Sequence, residues 1–259
     1  MLGSAMRLAV VAAAARVAVT QLILLKFYVV LAAFQPVTFL TIAGLLSDSG
    51  PYLRDAVLSA GLMGMWSTTL FGAGGALDRE RRYGTLELLF AAPTQLVGPI
   101  LGACLGAAAL GLVSIVLALG VGWLAFDVHT PLVRLPGIAV ASVVAVLGLA
   151  AFGLVIAGVF VLARQTRMLV NLLEYPVWVC SGLLVPSEAL PDALRLVGLA
   201  LPTTWALQLL RATADGSLPA ALRAGAVLVL LTVAFVALGV LLLGRMERAA
   251  RDRGDLSFV

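Results

Sequence analysis

The chain has 259 residues, of which 62% are hydrophobic and 12% charged, and its mean hydropathy is +1.11. A soluble domain of that length needs far more polar surface to cover its core, so the composition points to one membrane domain, residues 1–259, with room for about six crossings at ~20 apolar residues each. The net charge of +4, from 17 basic and 13 acidic residues, belongs at the inner membrane face rather than on nucleic acid, and one histidine with two cysteines in apolar runs leaves no multi-histidine metal site and no disulfide framework.

The elements follow in chain order. Arg7 precedes an apolar stretch, as in a secretory signal, but the apolar sequence continues to residue 46 without a small-residue cleavage site, so a retained anchor is expected. Residues 8–46 are too long for one crossing of ~30 Å. Dividing them near Lys26 gives an interfacial helix over 5–22 and a first span over 26–46. Ser47 to Pro51 is a turn, because Gly50 and Pro51 stop the helix. The second span, about 55–76, is rich in small residues (Gly61, Gly64, Gly72, Gly74, Gly75) that let helix backbones approach closely. The most charged run of the chain follows it, Asp78-Arg79-Glu80-Arg81-Arg82.

The third span covers about 97–125, and a polar loop from Asp127 to Pro136 leads to the fourth, about 137–162. Past Arg164 and Arg167 comes the fifth, about 169–186, which contains Glu174 and Pro176. Residues 189–201 and 203–213 are two short apolar segments separated by Pro202, each too short to cross. They read as a re-entrant hairpin that returns to the side it left. The sixth span, about 220–243, precedes a tail carrying Arg245, Arg248, Arg251 and Arg253. The fold class is therefore all-α, with six transmembrane helices, an N-terminal interfacial helix, a helix projecting after the second span and a hairpin between the fifth and sixth. The segments through Lys26, 78–82, 163–168 and the tail hold twelve basic residues, and the opposite loops hold five. That asymmetry places both termini in the cytoplasm.

Chemistry is sparse. There is no phosphate loop of the G-x-x-x-x-G-K-[ST] type, no H-E-x-x-H and no G-x-S-x-G, so the chain is not expected to be an enzyme. Glu174 sits about one and a half turns into the fifth span, where a charge is costly. It could contact a cationic substrate, pair with Arg164, Arg167 or an arginine of the 78–82 run, or snorkel to the interface. It is also the one intramembrane group that an ion-gradient-driven carrier or channel, the main rival function, could use as a relay. Pro176 should kink the same helix. Trp66, Trp123, Trp178 and Trp205 are expected to be interface anchors.

The stretch Ala76–Thr94 has a local logic of its own. Gly84 can break one helix, Thr85 can cap the next, and Glu87 in its first turn suits the helix dipole. Leu86, Leu89 and Phe90 give an apolar face and Pro93 ends the element. It is either a short amphipathic docking helix or an ordinary basic loop.

These residues resemble a known family. Glu80-Arg81-Arg82-Tyr83-Gly84-Thr85-Leu86-Glu87, followed by Ala92-Pro93-Thr94, is similar to the E-R-E-x-G-T-x-E-x-L-x-x-x-P pattern of the ABC type-2 exporter permeases, departing from it at Arg82. Ser181 to Pro186, Leu190-Pro191, Leu201 to Ala206 and Arg211 look like the stretch that follows that family's fifth span. The resemblance implies a multi-pass permease of a bacterial inner membrane, paired with a second copy or a related permease. Each half would dock a separate ATP-binding cassette subunit. That partner would bind ATP and Mg, with no cofactor in this chain. Segment 78–92 would be the coupling element, with Asp78, Glu80, Arg81, Arg82, Gly84, Thr85 and Glu87 at the partner contact. The hairpin at 189–213 would shield the outer end of a pathway to which Glu174 and Pro176 are candidates.

Overall fold

The computed structural model describes residues 4–24, 26–46, 50–82, 84, 96–161 and 166–253, and among them it contains helices and turns but no strand. The helices are α1 (Ser4–Leu24), α2 (Phe27–Leu46), α3 (Gly50–Arg82), α4 (Val97–Leu110), α5 (Leu112–Phe126), α6 (Leu135–Val161), α7 (Thr166–Cys180), α8 (Asp192–Leu199), α9 (Pro202–Asp215) and α10 (Leu218–Arg253).

Among the described residues, four stretches are long and apolar enough to cross a membrane: Tyr52–Gly75, Val97–Phe126, Leu132–Phe160 and Leu218–Arg248. They coincide with the expected second, third, fourth and sixth spans. The first and fifth expected spans fall on α2, with 20 helical residues, and α7, with 15. α7 stops well short of the expected residue 186. Gly182 takes φ +76°, and the Leu183 and Leu184 amides turn back onto the Trp178 carbonyl at 3.1 and 3.2 Å. This left-handed glycine close ends the helix although the sequence stays apolar.

Helix directions alternate. Val57 faces Gly122, Gly61 faces Ile115 and Ala118, and Gly72 faces Ala107, so α3 runs antiparallel to α4–α5. Ser114 donates to the Ala32 carbonyl at 2.8 Å and Gly44 meets Phe126, so α2 runs parallel to α5. Trp66 stacks on Phe152 and Gly74 faces Phe160, so α6 follows the direction of α3. Gly148 faces Leu228 and Gly158 faces Leu242, which aligns α10 with α6. α7 opposes α3, because Val170 lies by Gly74 and Glu174 by Ser67.

α1 differs from the interfacial helix expected over 5–22. Val10 faces Gly98, Ala14 faces Gly102, Ala18 faces Gly106, and Leu22 packs with Ala107 and Leu110. A helix lying across the bundle would touch α4 at one crossing, whereas α1 follows it in parallel for three turns. The glycines make this possible. A Cβ on Gly102 would lie 2.6 Å from the Val11 carbonyl oxygen, so only a missing side chain admits the neighbouring backbone.

The core lies around α3, whose buried side chains include Leu62, Met63, Met65, Trp66 and Leu70. α10 is the least buried span, and its Val229, Leu230, Val233 and Leu241 point outward. In a membrane protein such a face meets lipid. Trp66 and Trp178 are buried, at 0% and 7% exposure, rather than anchored at an interface; Trp66 fills the space between α3 and α6. Trp123 is exposed, and Trp205 donates its indole N–H to the Leu199 carbonyl at 2.9 Å.

Between α7 and α10, α8 and α9 form the expected pair, bent by 84° about Leu201 and Pro202. Pro202 at the first helical position sets the start of α9. Gly216, at φ +77°, closes its other end, with the Ser217 amide on the Ala212 carbonyl at 2.9 Å. The pair packs on the last turn of α7 and on the first turns of α3, α6 and α10. These contacts lie at the end of the bundle opposite the charged run of α3.

Candidate functional site: a buried carboxylate and the two ends of α3

Three polar sites hang on α3. At its C-terminal end, Asp78, Glu80, Arg81 and Arg82 occupy its final turns, so the helix of the second span extends through the charged run without a break. Gly84 follows at φ +67° with open space around it, the left-handed position at which the sequence placed a helix break. The side chains of Asp78, Glu80, Arg81 and Arg82 lie outside the described residues, as do Thr85 and Glu87.

Just before α4, the Leu96 amide donates to Glu247 Oε2 on α10 at 3.4 Å. Glu247 is buried, at 8% exposure. A carboxylate at a helix N-terminus satisfies an otherwise unpaired amide and complements the dipole. Sequence reasoning passed over Glu247. The available signal was an acidic residue between two arginines of the tail, Arg245 and Arg248.

In the middle of α3, Ser67 Oγ donates to Glu174 Oε1 at 2.5 Å, and Gln35 Nε2 of α2 donates to the same oxygen at 3.0 Å. Glu174 is 6% exposed, so it neither snorkels nor points outward; it is held between α2 and α3. Among the described residues no cation lies within ion-pair distance of it. Arg164 and the side chain of Arg167 lie outside the described residues. The neighbourhood contains further buried polar atoms without a hydrogen-bond partner: Gln35 Oε1, Trp66 Nε1 and Trp178 Nε1. One turn above the polar contact, Phe39 of α2 meets Trp178 of α7 edge-on, with centroids 6.1 Å apart. Pro176 is exposed on the opposite side of α7, with Leu172 and Tyr175. The two residues expected on a common pathway therefore face different ways. Gln35 and Ser67, unremarked in the sequence, are what the carboxylate touches.

At the N-terminal end of α3, Arg211 of α9 reaches it. Its Nε lies 3.4 Å from Asp55 Oδ2 and its Nη2 donates to Ser59 Oγ at 3.3 Å. The Nε contact is an ion pair without hydrogen-bond geometry. Arg134, just before α6, donates to the Ala214 carbonyl and covers Gly216. Below them the hydroxyls of Ser181 and Thr203 share a hydrogen bond, and Thr204 Oγ1 donates to the Gly198 carbonyl at 2.6 Å. Among the described residues no three His, Cys, Asp or Glu side chains come together as a metal site. His129 lies in the loop between α5 and α6 with its Nδ1 2.9 Å from the Asp127 carbonyl.

This arrangement sets polar contacts at intervals through an apolar bundle. It has a charged rod end, a buried polar clasp and a fastened hairpin, all along one helix. Residues 12–214 match the family described as ABC-2 type transporter. No curated protein matches the chain.

Proposed function

Since the chain belongs to the ABC-2 type transporter family, and is thus the multi-pass permease component of an ABC transporter whose ATPase resides in a separate protein, we propose that it works as the membrane half of an ATP-driven exporter. The cargo class is a drug, antibiotic, peptide or lipid-like molecule. Two permeases, identical or related, would form the pathway in the inner membrane, crossing six times each with both termini in the cytoplasm. The observation that carries the reading is α3. A single helix of 33 residues joins the most buried part of the bundle to the charged run at Asp78–Arg82. At 1.5 Å per residue it is about 50 Å long, enough to pass through the bilayer and present its last turns to a protein beyond it. The 78–92 segment is then the coupling element, and the alternating helix directions fit an even number of crossings.

Purification from native membranes tests this. A nucleotide-hydrolysing subunit should accompany the chain in near-equal amount, and ATP hydrolysis should reside in that subunit alone. A well-behaved preparation that carries no such companion, yet translocates in response to an imposed ion gradient, would overturn the reading in favour of a secondary carrier.

A further inference from the structure

We propose that Arg211 is a positioning residue: it fastens the α8–α9 hairpin to the outer end of α3, so that displacement of α3 at its inner end is delivered to the hairpin. This rests on the permease reading above and adds the element by which the outer end follows the inner one.

Three observations place it. First, α3 is unbroken from Gly50 to Arg82, contains no proline after Pro51, and has its Gly61, Gly64, Gly72 and Gly74 packed closely against neighbouring side chains, which leaves them little room to bend. Movement of its last turns shifts its first turns too. Second, the side chains that join α9 to α3 at that end are Arg211, Asp55 and Ser59, at 3.4 and 3.3 Å. The guanidinium is only 28% exposed, and the Asp55 side chain 54%. Third, the surroundings of Arg211 are anionic on a second side. The Glu188 carboxyl is held below its ordinary range by its own backbone amide and the Ser187 hydroxyl, and then by the Arg211 and Arg195 charges. Arg211 thus joins α9 to α3, with Glu188 of the loop before α8 near enough to feel its charge. The rest of α9 is packed by apolar side chains (Ala206, Leu207, Leu210) into a core shared by α3, α6 and α10, so the polar contact is what is particular to α3 at that end.

Leu207 lies one turn before Arg211 and is 1% exposed, so a thiol there reports release of the hairpin. The experiment uses the permease with its ATPase partner in proteoliposomes, with Cys104 and Cys180 replaced by alanine and Leu207 by cysteine. An impermeant maleimide is added outside, with and without ATP. In this parent, ATP should raise the labelling rate. In Arg211→Ala, labelling without ATP should rise about five-fold, the effect of losing a partly exposed ion pair, and the ATP response should vanish while hydrolysis continues. Asp55→Ala should add nothing to Arg211→Ala, since residues acting through one contact are not additive. An unchanged ATP response in Arg211→Ala overturns the proposal. So does a hydrolysing, correctly assembled parent whose labelling ignores ATP. Failure of the ATPase partner to assemble with the parent tells against the permease reading itself.

Discussion

Gln35 on α2 and Glu174 on α7, 139 positions apart in sequence, share a hydrogen bond of 3.0 Å to the same carboxylate oxygen that accepts Ser67 of α3. Helices that cannot gain from hydrophobic exclusion, because lipid is as apolar as they are, are held by such polar contacts and by close packing of small residues. The clasp joins three of the helices on which the account depends.

Removing the carboxylate should therefore unfasten α7. Glu174→Ala leaves the Ser67 hydroxyl and the Gln35 amide buried without their acceptor, at about 1–3 kcal/mol for each stranded group. The unfolding midpoint in detergent should fall by at least about 4 °C, at roughly 2–4 °C per kcal/mol for a chain of this size. Glu174→Gln keeps an acceptor oxygen and should stay within about 2 °C of the parent. Equal losses in the two variants would show that the carboxylate is not held as described.

The contact of α1 with α4 yields a matched pair. A Cβ at Gly102 would lie 2.6 Å from the Val11 carbonyl oxygen and 3.0 Å from the Ala15 amide nitrogen, both backbone atoms that cannot rotate away. Gly120, on α5, has open space around it. Gly102→Ala should cost about 1–3 kcal/mol through overpacking, read as a lower thermal midpoint. Gly120→Ala should be neutral or slightly stabilising, as expected where glycine is not needed in a helix.

Much of this fold was legible because apolar runs bounded by Gly, Pro and charge mark crossings. The spans around α3, α4–α5, α6 and α10 fall within a few residues of their expected places, and the hairpin bend sits at Pro202. What escaped had one physical cause: in a bilayer the outside of a bundle is as apolar as its inside. Nothing in the sequence near Trp66 tells a core tryptophan from an interfacial one, and the apolar run through Leu183, Leu184 and Val185 hides that Gly182 has already ended α7. Glu174 stood out by its charge, but its partners could not be read, since Gln35 and Ser67 are ordinary polar residues in distant helices. α1 has no polar face to declare an orientation, and its parallel course along α4 emerges only from Gly98, Gly102 and Gly106 facing it in turn.

The cap on α4 gives a graded series. Glu247→Gln keeps an oxygen for the Leu96 amide and should be mild. Glu247→Ala loses the cap, worth about 0.5–2 kcal/mol. Glu247→Lys also sets a cation against the positive end of the helix and should be the least stable of the three. Thermal midpoints of the purified permease should fall in that order. A lysine variant as stable as the parent would remove Glu247 from the inner-end architecture.

The central claim is that the inner end of α3 grips an ATPase, and the most direct test is charge reversal at that grip. Arg81→Glu combined with Arg82→Glu should leave a monodisperse permease with an unchanged unfolding midpoint, while the amount of co-purified ATPase subunit falls by ten-fold or more, about 1.4 kcal/mol or above in binding. Full retention of the ATPase by that variant would contradict the account.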